Sequence, residues 1–364
     1  MIYGVVSDIH CHAWSLFSRI NPDGVNSRLR ITLNELERAA TVVLANGGRT
    51  LVIPGDILHT RGTIDPEVLN PLRKTIEGIL DDGVSIYAIP GNHDLKSEDS
   101  QELSSAIQNL AQISIEGAQF KIFNRVDVIA VEGQRLGFVP WRNRREDLLK
   151  DLETLAKQCQ KPAETDVFIH AGIEGVLPNM PASGLTDKIL GDFGFRHVFA
   201  GHYHNHKVMQ HGVISVGATT HHNWGDVGSR AGFLLVGGSA GAVTFQDTHA
   251  PKFVDVSGMS EEDIQLGCDG NYVRFRGPQM TQQQITELRE QFKDWGALGT
   301  SIEVPRAIAT ARAGAPRTAG VSLATSVQLF VDASASIPAH VDRARVKERA
   351  AEVLAASQAV YEDA

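Results

Sequence analysis

Short apolar runs alternate with longer amphipathic stretches over roughly the first 250 residues. IYGVVSD reads as a buried strand. The next stretch, Ser27 to Asn46, reads as a helix, because Leu29, Leu33, Leu36, Ala40 and Val43 fall near helical spacing. Gly47-Gly48 ends it. TLVIPGD is a second buried strand, and Pro66 to Leu80 is a helix with proline in its first turn. VSIYAIPGNHD is a third strand and a turn. Two such strand–helix–strand units predict a parallel sheet with right-handed crossovers. Short strands follow at Phe120–Phe123, Val126–Glu132 and Arg135–Pro140, then a helix at Arg144–Gln158. VFIH and HVFAGH add two strands. From Lys207 to Gln246 the runs are short and broken by glycine, which predicts antiparallel hairpins.

The fold this pattern predicts is α/β: a two-sheet β-sandwich flanked by helices over 1–255, then a small C-terminal α+β domain over 256–364. In the second part NYVRFRG is a strand, Thr281–Trp295 a helix, TSIEVP and VQLFV strands, and Ile337–Tyr361 a helix. Ile308–Gly320, rich in Ala, Gly and Arg, is expected to be a mobile loop. No internal repeat is visible.

The polar residues punctuate this pattern in one place. Each early strand ends in metal-ligating residue types: Asp8-Ile9-His10, Gly55-Asp56-Ile57-Leu58-His59, Gly91-Asn92-His93-Asp94, His170, and Gly201-His202-Tyr203-His204. Ligand sites in open α/β sheets form at the carboxyl ends of strands. On regular strands Asp8 and His10, and likewise His202 and His204, share a face. Glycines at 55, 91 and 201 let the backbone turn just before the ligands. Carboxylate, amide and imidazole together suit Mn, Fe, Zn, Ni or Co, and the lack of thiolates argues against a structural zinc site. Any one motif alone could be an ordinary turn or edge residue. The ordered conjunction points to metal: with Asp56 shared, seven residues suffice for two ions. Two such ions clamp attacking and leaving oxygens in phosphoryl transfer and generate hydroxide near neutral pH.

Composition narrows this further. The chain of 364 residues is 42% hydrophobic and 21% charged, an ordinary globular balance. No apolar run predicts a membrane span, and MIYGVVSDIH has no basic leader. Three scattered cysteines suit a reducing compartment, so a cytoplasmic location is expected. The net charge of −9 argues against a broad nonspecific grip on nucleic acid. Phosphate chemistry here must rest on a local positive site such as bound metal.

The motif set DIH, GDILH, GNHD, strand-end His and GHYH resembles that of the calcineurin-like metallophosphoesterase superfamily. The resemblance implies that one ion takes Asp8, His10, Asp56 and His204, and the other Asp56, Asn92, His170 and His202. It implies that His93 faces the scissile phosphate and helps protonate the leaving oxygen, oriented by Asp94. Manganese is the first expectation, with Fe, Zn, Ni, Co and Mg as alternatives. GDILH is also similar to the GDxxH of the Mre11/SbcD nucleases, including phage-type members, where the extra histidine, here His59, helps place the DNA strand. That branch implies a capping domain, a DNA substrate, a Rad50/SbcC-type ATPase partner and a homodimer. A small-molecule phosphodiesterase or phosphatase of the same superfamily remains the alternative.

Other residues stay open. Arg142, Arg144 and Arg145 form either a phosphate-contact loop or a solvated helix start. Arg312 and Arg317 lie in the expected loop. Thr220–Gly232, with His221, His222, Trp224 and Arg230, reads as a structural hairpin with a role at the cleft rim. His206 and His211 read as rim or surface residues. The last helix either packs on its own domain or docks a partner.

Overall fold

A computed structural model of the chain describes all residues except 64, 98–105, 179, 181–182, 238–240, 306–321, 335–336, 339 and 363–364. The expected loop at Ile308–Gly320 lies outside the described residues. The chain divides into two compact units, Met1–Pro305 and Arg306–Ala364, so the boundary expected near Val256 falls inside the first unit. Among the described residues no helix is long and apolar enough to cross a membrane.

The first unit opens with β1 (Tyr3–Val5), α1 (Ser27–Ala45), β2 (Thr50–Pro54), α2 (Pro66–Asp81), β3 (Ser85–Ile89), β4 (Ser114–Ile115) and β5 (Ala118–Ile122). It continues with β6 (Asp127–Val131), β7 (Gln134–Val139), α3 (Arg145–Gln158), β8 (Thr165–His170), α4 (Asp187–Gly191), β9 (His197–Gly201), β10 (Lys207–Val208) and β11 (Val213–Ser215). Then come β12 (Gly232–Gly237), β13 (Ala242–Asp247), β14 (Phe253–Asp255), α5 (Glu261–Cys268), β15 (Tyr272–Arg276), α6 (Gln282–Asp294) and β16 (Gly299–Glu303). One sheet is ordered β13-β12-β1-β2-β3-β5-β4, a second β10-β11-β9-β8-β7-β6, and a third, smaller one β14-β15-β16. β1, β2 and β3 run parallel, as do β7, β8 and β9.

The layers follow from side-chain alternation. On β2, Leu51 and Ile53 face α1 and α2, whose apolar stripes include Leu29, Leu33, Leu36, Val43, Leu72 and Ile76. Val52, between them, points the other way, into the core shared by the two large sheets. There Phe138, Phe168 and Phe199 sit at paired positions on β7, β8 and β9 and stack at 5.5 and 5.4 Å. Such cross-strand aromatic pairs fix register as well as burying area. α3 covers the outer face of the second sheet through Leu148, Leu152 and Leu155. The order is thus helix, sheet, sheet, helix.

The third sheet, with α5 and α6, has its own core of Val256, Cys268, Val273 and Phe292. It is joined to the rest through an aromatic seam: Phe17 stacks on Tyr272 at 5.3 Å, and the Arg28 guanidinium lies over Trp14, Phe253 and Tyr272.

The second unit contains α7 (Leu323–Ala333) and α8 (Arg343–Glu362). VQLFV is therefore helical and not a strand. Ser322 caps this helix through the Thr325 N–H. A short apolar run carries no period of its own, and its flanks decide its conformation. Arg343 closes the other end by donating to the carbonyls of Val331, Asp332 and Ser334.

Candidate metal centre

The parallel strands of both large sheets bring the seven sequence-predicted ligands to one rim. Asp8 and His10 lie beyond β1, Asp56 beyond β2 and Asn92 beyond β3. His170 ends β8, and His202 and His204 follow β9. The route differs from the expected one. β1 stops at Val5, and Asp8, His10, Asp56 and His202 all have left-handed backbones, with φ of 49°, 47°, 53° and 102°. Asp8/His10 and His202/His204 converge through turns, not through strand alternation. Asp and His enter this region more readily than bulky residues do, which lowers the cost of the turns.

Asp56 is the hub. Its Oδ1 accepts the His93 backbone N–H at 2.8 Å. Its Oδ2 faces His170 Nε2 at 3.3 Å on one side and His10 Nε2 at 3.6 Å on the other. His10 Nε2 in turn lies 3.2 Å from His204 Nε2. The Asn92 Oδ1 lies 3.0 Å from both His170 Nε2 and His202 Nδ1. Asp8 completes the first group with His10 and Asp56. Ligands about 2.1 Å from a common tetrahedral ion sit about 3.4 Å from one another. The observed separations bracket that value, and they fall into two clusters sharing one carboxylate oxygen. The donor set therefore fits two divalent ions.

The electrostatics agree. Burial pushes Asp8 up, and Asp56 adds to it, against His170 and His204. Burial also opposes the Asp56 charge, yet His170 and His10 hold that carboxyl well below the usual range. His170 rises to about 9: burial lowers it, but Asp56 and Asp8 outweigh this. Burial keeps His10 well below its ordinary value, and burial with neighbouring His170 takes His202 to about 3. So the pocket concentrates buried carboxylates with His10 and His202 held neutral, while the carboxylates favour a proton on His170. His170 donates Nδ1–H to the Pro54 carbonyl at 2.8 Å, so Nε2, which faces Asp56, is the nitrogen on which an ion would replace the proton.

His93 stands beside this set, its ring 4.8 Å from that of His10. Its Nδ1 donates to the His59 carbonyl at 2.5 Å, leaving Nε2 as the other donor or acceptor. The expected direct contact from Asp94 to the ring is not what its oxygens make. Asp94 is fully buried, and its oxygens accept the backbone N–H groups of Ile57, Leu58 and Gly91. Its influence on His93 passes through the backbone of the two turns. Burial, then Asp56, raises its carboxyl to about 7. His59 does lie at the site. Its ring stacks on His93 at 5.4 Å, its Nδ1 is 3.3 Å from His10 Nδ1, and Trp14 and His12 pack behind it.

Several open residues now have places. Arg142 pairs with Asp151 at 2.6 Å and Arg145 donates to the Gly184 carbonyl, so both have partners other than phosphate. His206 stacks on Phe245 at 4.2 Å and bonds the Ser215 carbonyl, a packing role and not a cleft one. His211 is exposed. Thr220–Gly232 is no hairpin; it holds a single tight turn at Trp224–Asp226. Within it His221 accepts the Phe253 N–H and faces the Ser229 carbonyl, tying the third sheet to the rim. His222, 2% exposed, bonds the Asp8 carbonyl at 2.9 Å. Sequence reading missed Trp141, whose ring lies 5.2 Å from His202, and Asp226, which accepts His204 Nδ1–H at 2.7 Å. The one sequence signal for Asp226 is a capping-box spacing from Asn223, which marks turns generally.

Residues 1–206 match the family described as calcineurin-like phosphoesterase, more than half of the chain and all seven ligand candidates. The chain belongs to the calcineurin-like phosphoesterase family. It is a metal-dependent hydrolase of phosphoesters. Among curated proteins it is similar to exonuclease subunit 1 of Enterobacteria phage T4, 22% identical over 177 residues. That match spans 48% of this chain and 49% of the phage protein, so about half of each. Among solved structures, a dimetal phosphatase from Danio rerio matches with a TM-score of 0.40 at 14% identity, covering 65% of this chain and 92% of that one. YfcE, a phosphoesterase from E. coli, matches with a TM-score of 0.31 at 14% identity, over 68% and 99%.

Proposed function

We propose that this chain is a two-metal phosphodiesterase acting on DNA, a nuclease subunit of recombination or repair. The reading rests on one observation above others: GDILH places His59 face to face with His93. The imidazole of His59, with Trp14 packed behind it, thus extends the site beyond what a small phosphoester would need. The partial match to a phage exonuclease subunit supports the same reading.

In this reading Asp8, His10, Asp56 and His204 hold one ion, and Asp56, Asn92, His170 and His202 the other. Manganese is the first choice. When bound, the ions activate water and neutralise charge on the phosphoryl group. The chain's own residues do the rest. His93, braced by the His59 carbonyl, presents Nε2 to the phosphate and hands a proton to the leaving sugar oxygen. His59 and Trp14 form a wall against which the strand is placed. The third sheet acts as a cap. An ATPase partner of the Rad50/SbcC type and a second copy of the chain belong to the same proposal.

A second reading, a small-phosphodiester hydrolase, draws on the net charge of −9 and the commitment of Arg142 and Arg145 to other partners. One experiment separates the two. Linear duplex DNA, single-stranded DNA and bis-p-nitrophenyl phosphate are incubated with the protein and manganese, and with chelator. The nuclease reading expects manganese-dependent cleavage of DNA, and a His59→Ala loss that is greater on DNA than on the small diester. Equal losses on both, or hydrolysis of the small diester alone, favour the second reading.

A further inference from the structure

We propose that Asp226 is a positioning residue for the metal centre: its carboxylate fixes the His204 tautomer so that Nε2 faces the ion shared with His10. This rests on the two-ion reading of the site. Asp226 lies beyond the residues that match the family, in a turn that carries no ligand itself.

The argument is a count of donors. Asp226 is 4% exposed, and three N–H groups converge on it. Oδ1 accepts His204 Nδ1–H at 2.7 Å. Oδ2 accepts the backbone N–H of His222 at 2.7 Å and of Asn223 at 3.1 Å. An ionised carboxylate only accepts, so it matches a set made wholly of donors. The proton on His204 is therefore drawn to Nδ1, and the lone pair is left on Nε2. That nitrogen lies 3.2 Å from His10 Nε2, across the space where an ion would sit. A carboxylate behind a ligating imidazole also raises its basicity and freezes its ring plane. The turn is held independently: Ser229 Oγ donates to the Asp226 carbonyl at 2.7 Å, and His222 bonds the Asp8 carbonyl. Asp226 thus sits at the end of a braced lever reaching from beyond β11 to the ligand after β9.

Asp226→Asn is the discriminating change because it is nearly isosteric. The two backbone donors cannot alter, so the amide oxygen must face them. The amide NH2 then faces His204 Nδ1, which can accept it only by moving its proton to Nε2. Nε2–H cannot bind metal. The variant should keep its turn and lose a ligand.

The test is titration of the metal-free full chain with Mn2+ alone, followed by electron paramagnetic resonance and equilibrium dialysis. Wild type, Asp226→Asn, Asp226→Glu and Ser229→Ala are compared, with melting of each metal-free protein. The expectation is two ions on wild type, and one of the two bound about 10–100-fold more weakly in Asp226→Asn. The coupled two-ion signal should be lost at low Mn2+, with little change in metal-free melting. Asp226→Glu, which restores the carboxylate, should recover part of the affinity. Ser229→Ala, which loosens the turn but keeps the carboxylate, should bind both ions nearly as wild type does. Unchanged affinity in Asp226→Asn, or an equal loss in Ser229→Ala, overturns the positioning role while leaving the two-ion reading intact. Fewer than two ions on wild type overturns the two-ion reading itself, and the positioning role with it.

Discussion

Gly91 offers a way to disturb Asp56, the proposed bridging carboxylate, without replacing a proposed ligand. A Cβ built on Gly91 would lie 2.2 Å from Asp56 Oδ1, 2.5 Å from the Asp56 backbone N and 2.8 Å from His170 Cε1. No side-chain carbon tolerates such approaches, so Gly91→Ala must push something aside. The Asp56 backbone cannot give easily, since its neighbours Ile57 and Leu58 are pinned by Asp94. The carboxylate is the softer partner. Rotating it breaks the 2.8 Å bond from the His93 N–H and moves Oδ2 away from both His170 and His10. Overpacking of this kind costs about 1–3 kcal/mol. Metal binding must restore the original rotamer against that strain. At about 1.4 kcal/mol per tenfold, affinity should fall roughly five- to 150-fold.

In the proposed two-ion arrangement Asp56 is shared, so both ions should weaken together, unlike the single-ion loss expected for Asp226→Asn. The Gly91 N–H to Asp94 bond survives in alanine, which limits the damage to the turn. The assay is Mn2+ titration with calorimetric melting of the metal-free and loaded forms. A Gly91→Ala protein that holds two ions with wild-type affinity would falsify the placement of Asp56 as the bridge.

Three further outcomes are expected. His93→Gln should lower turnover of bis-p-nitrophenyl phosphate by about 10²–10⁴-fold while metal analysis still finds two ions; normal turnover removes His93 from the chemistry. Asp166→Asn should cost about 3 kcal/mol in denaturant unfolding, because this buried carboxylate accepts from Tyr3 Oη at 2.6 Å, from Arg196 and from His197. Burial opposes its charge, but those donors win and its folded pKa is depressed. Its contribution is therefore present above about pH 4, the unfolded value, and is lost as pH falls through the folded one. The gap between wild type and variant should narrow in acid, and a gap that widens there contradicts the assignment. Turnover should be unchanged, since Asp166 sits at the start of β8, opposite His170. Chelation should lower the melting temperature of the wild type by an amount that grows with the free Mn2+ removed; identical melts with and without Mn2+ would show that no ion is bound tightly.

Much of this site was legible because its ligands are brought together by chain direction alone. Parallel strands in a sandwich must deliver their carboxyl ends to one rim, so Asp8, Asp56, Asn92, His170 and His202 could be grouped without any side-chain geometry. What failed was local. Strand alternation does not bring Asp8 and His10 together, since a period of two ends where the strand ends at Val5. The resemblance implies that Asp94 orients His93, but a carboxylate facing three backbone N–H groups serves the backbone first. Asp226 was illegible because its partner lies 22 residues away across two turns. VQLFV differs in kind: four apolar residues around Gln328 fit a strand or one helical turn, and the cap at Ser322 chooses between them.

The four left-handed residues carry a physical consequence beyond their placement. A non-glycine residue held there costs about 1–3 kcal/mol at worst, less for Asp and His. Asp8, His10, Asp56 and His202 all bear that cost within one site. The fold offsets it locally: the His202 N–H donates to both Asp8 oxygens, Ser7 Oγ holds Asp8, and the His93 N–H holds Asp56. The first of these joins two ligand candidates, so the backbone at His202 is set by the side chain of Asp8; the other two hold the carboxylates from residues outside the ligand set. The donor atoms are thereby pre-arranged near 3 Å before any ion arrives, at the expense of crowding two carboxylates and several imidazoles in a buried space. A cation among these groups offsets the repulsion between the two carboxylates: a proton on His170, held by Asp56 and Asp8, supplies one positive charge, and a divalent ion would supply two.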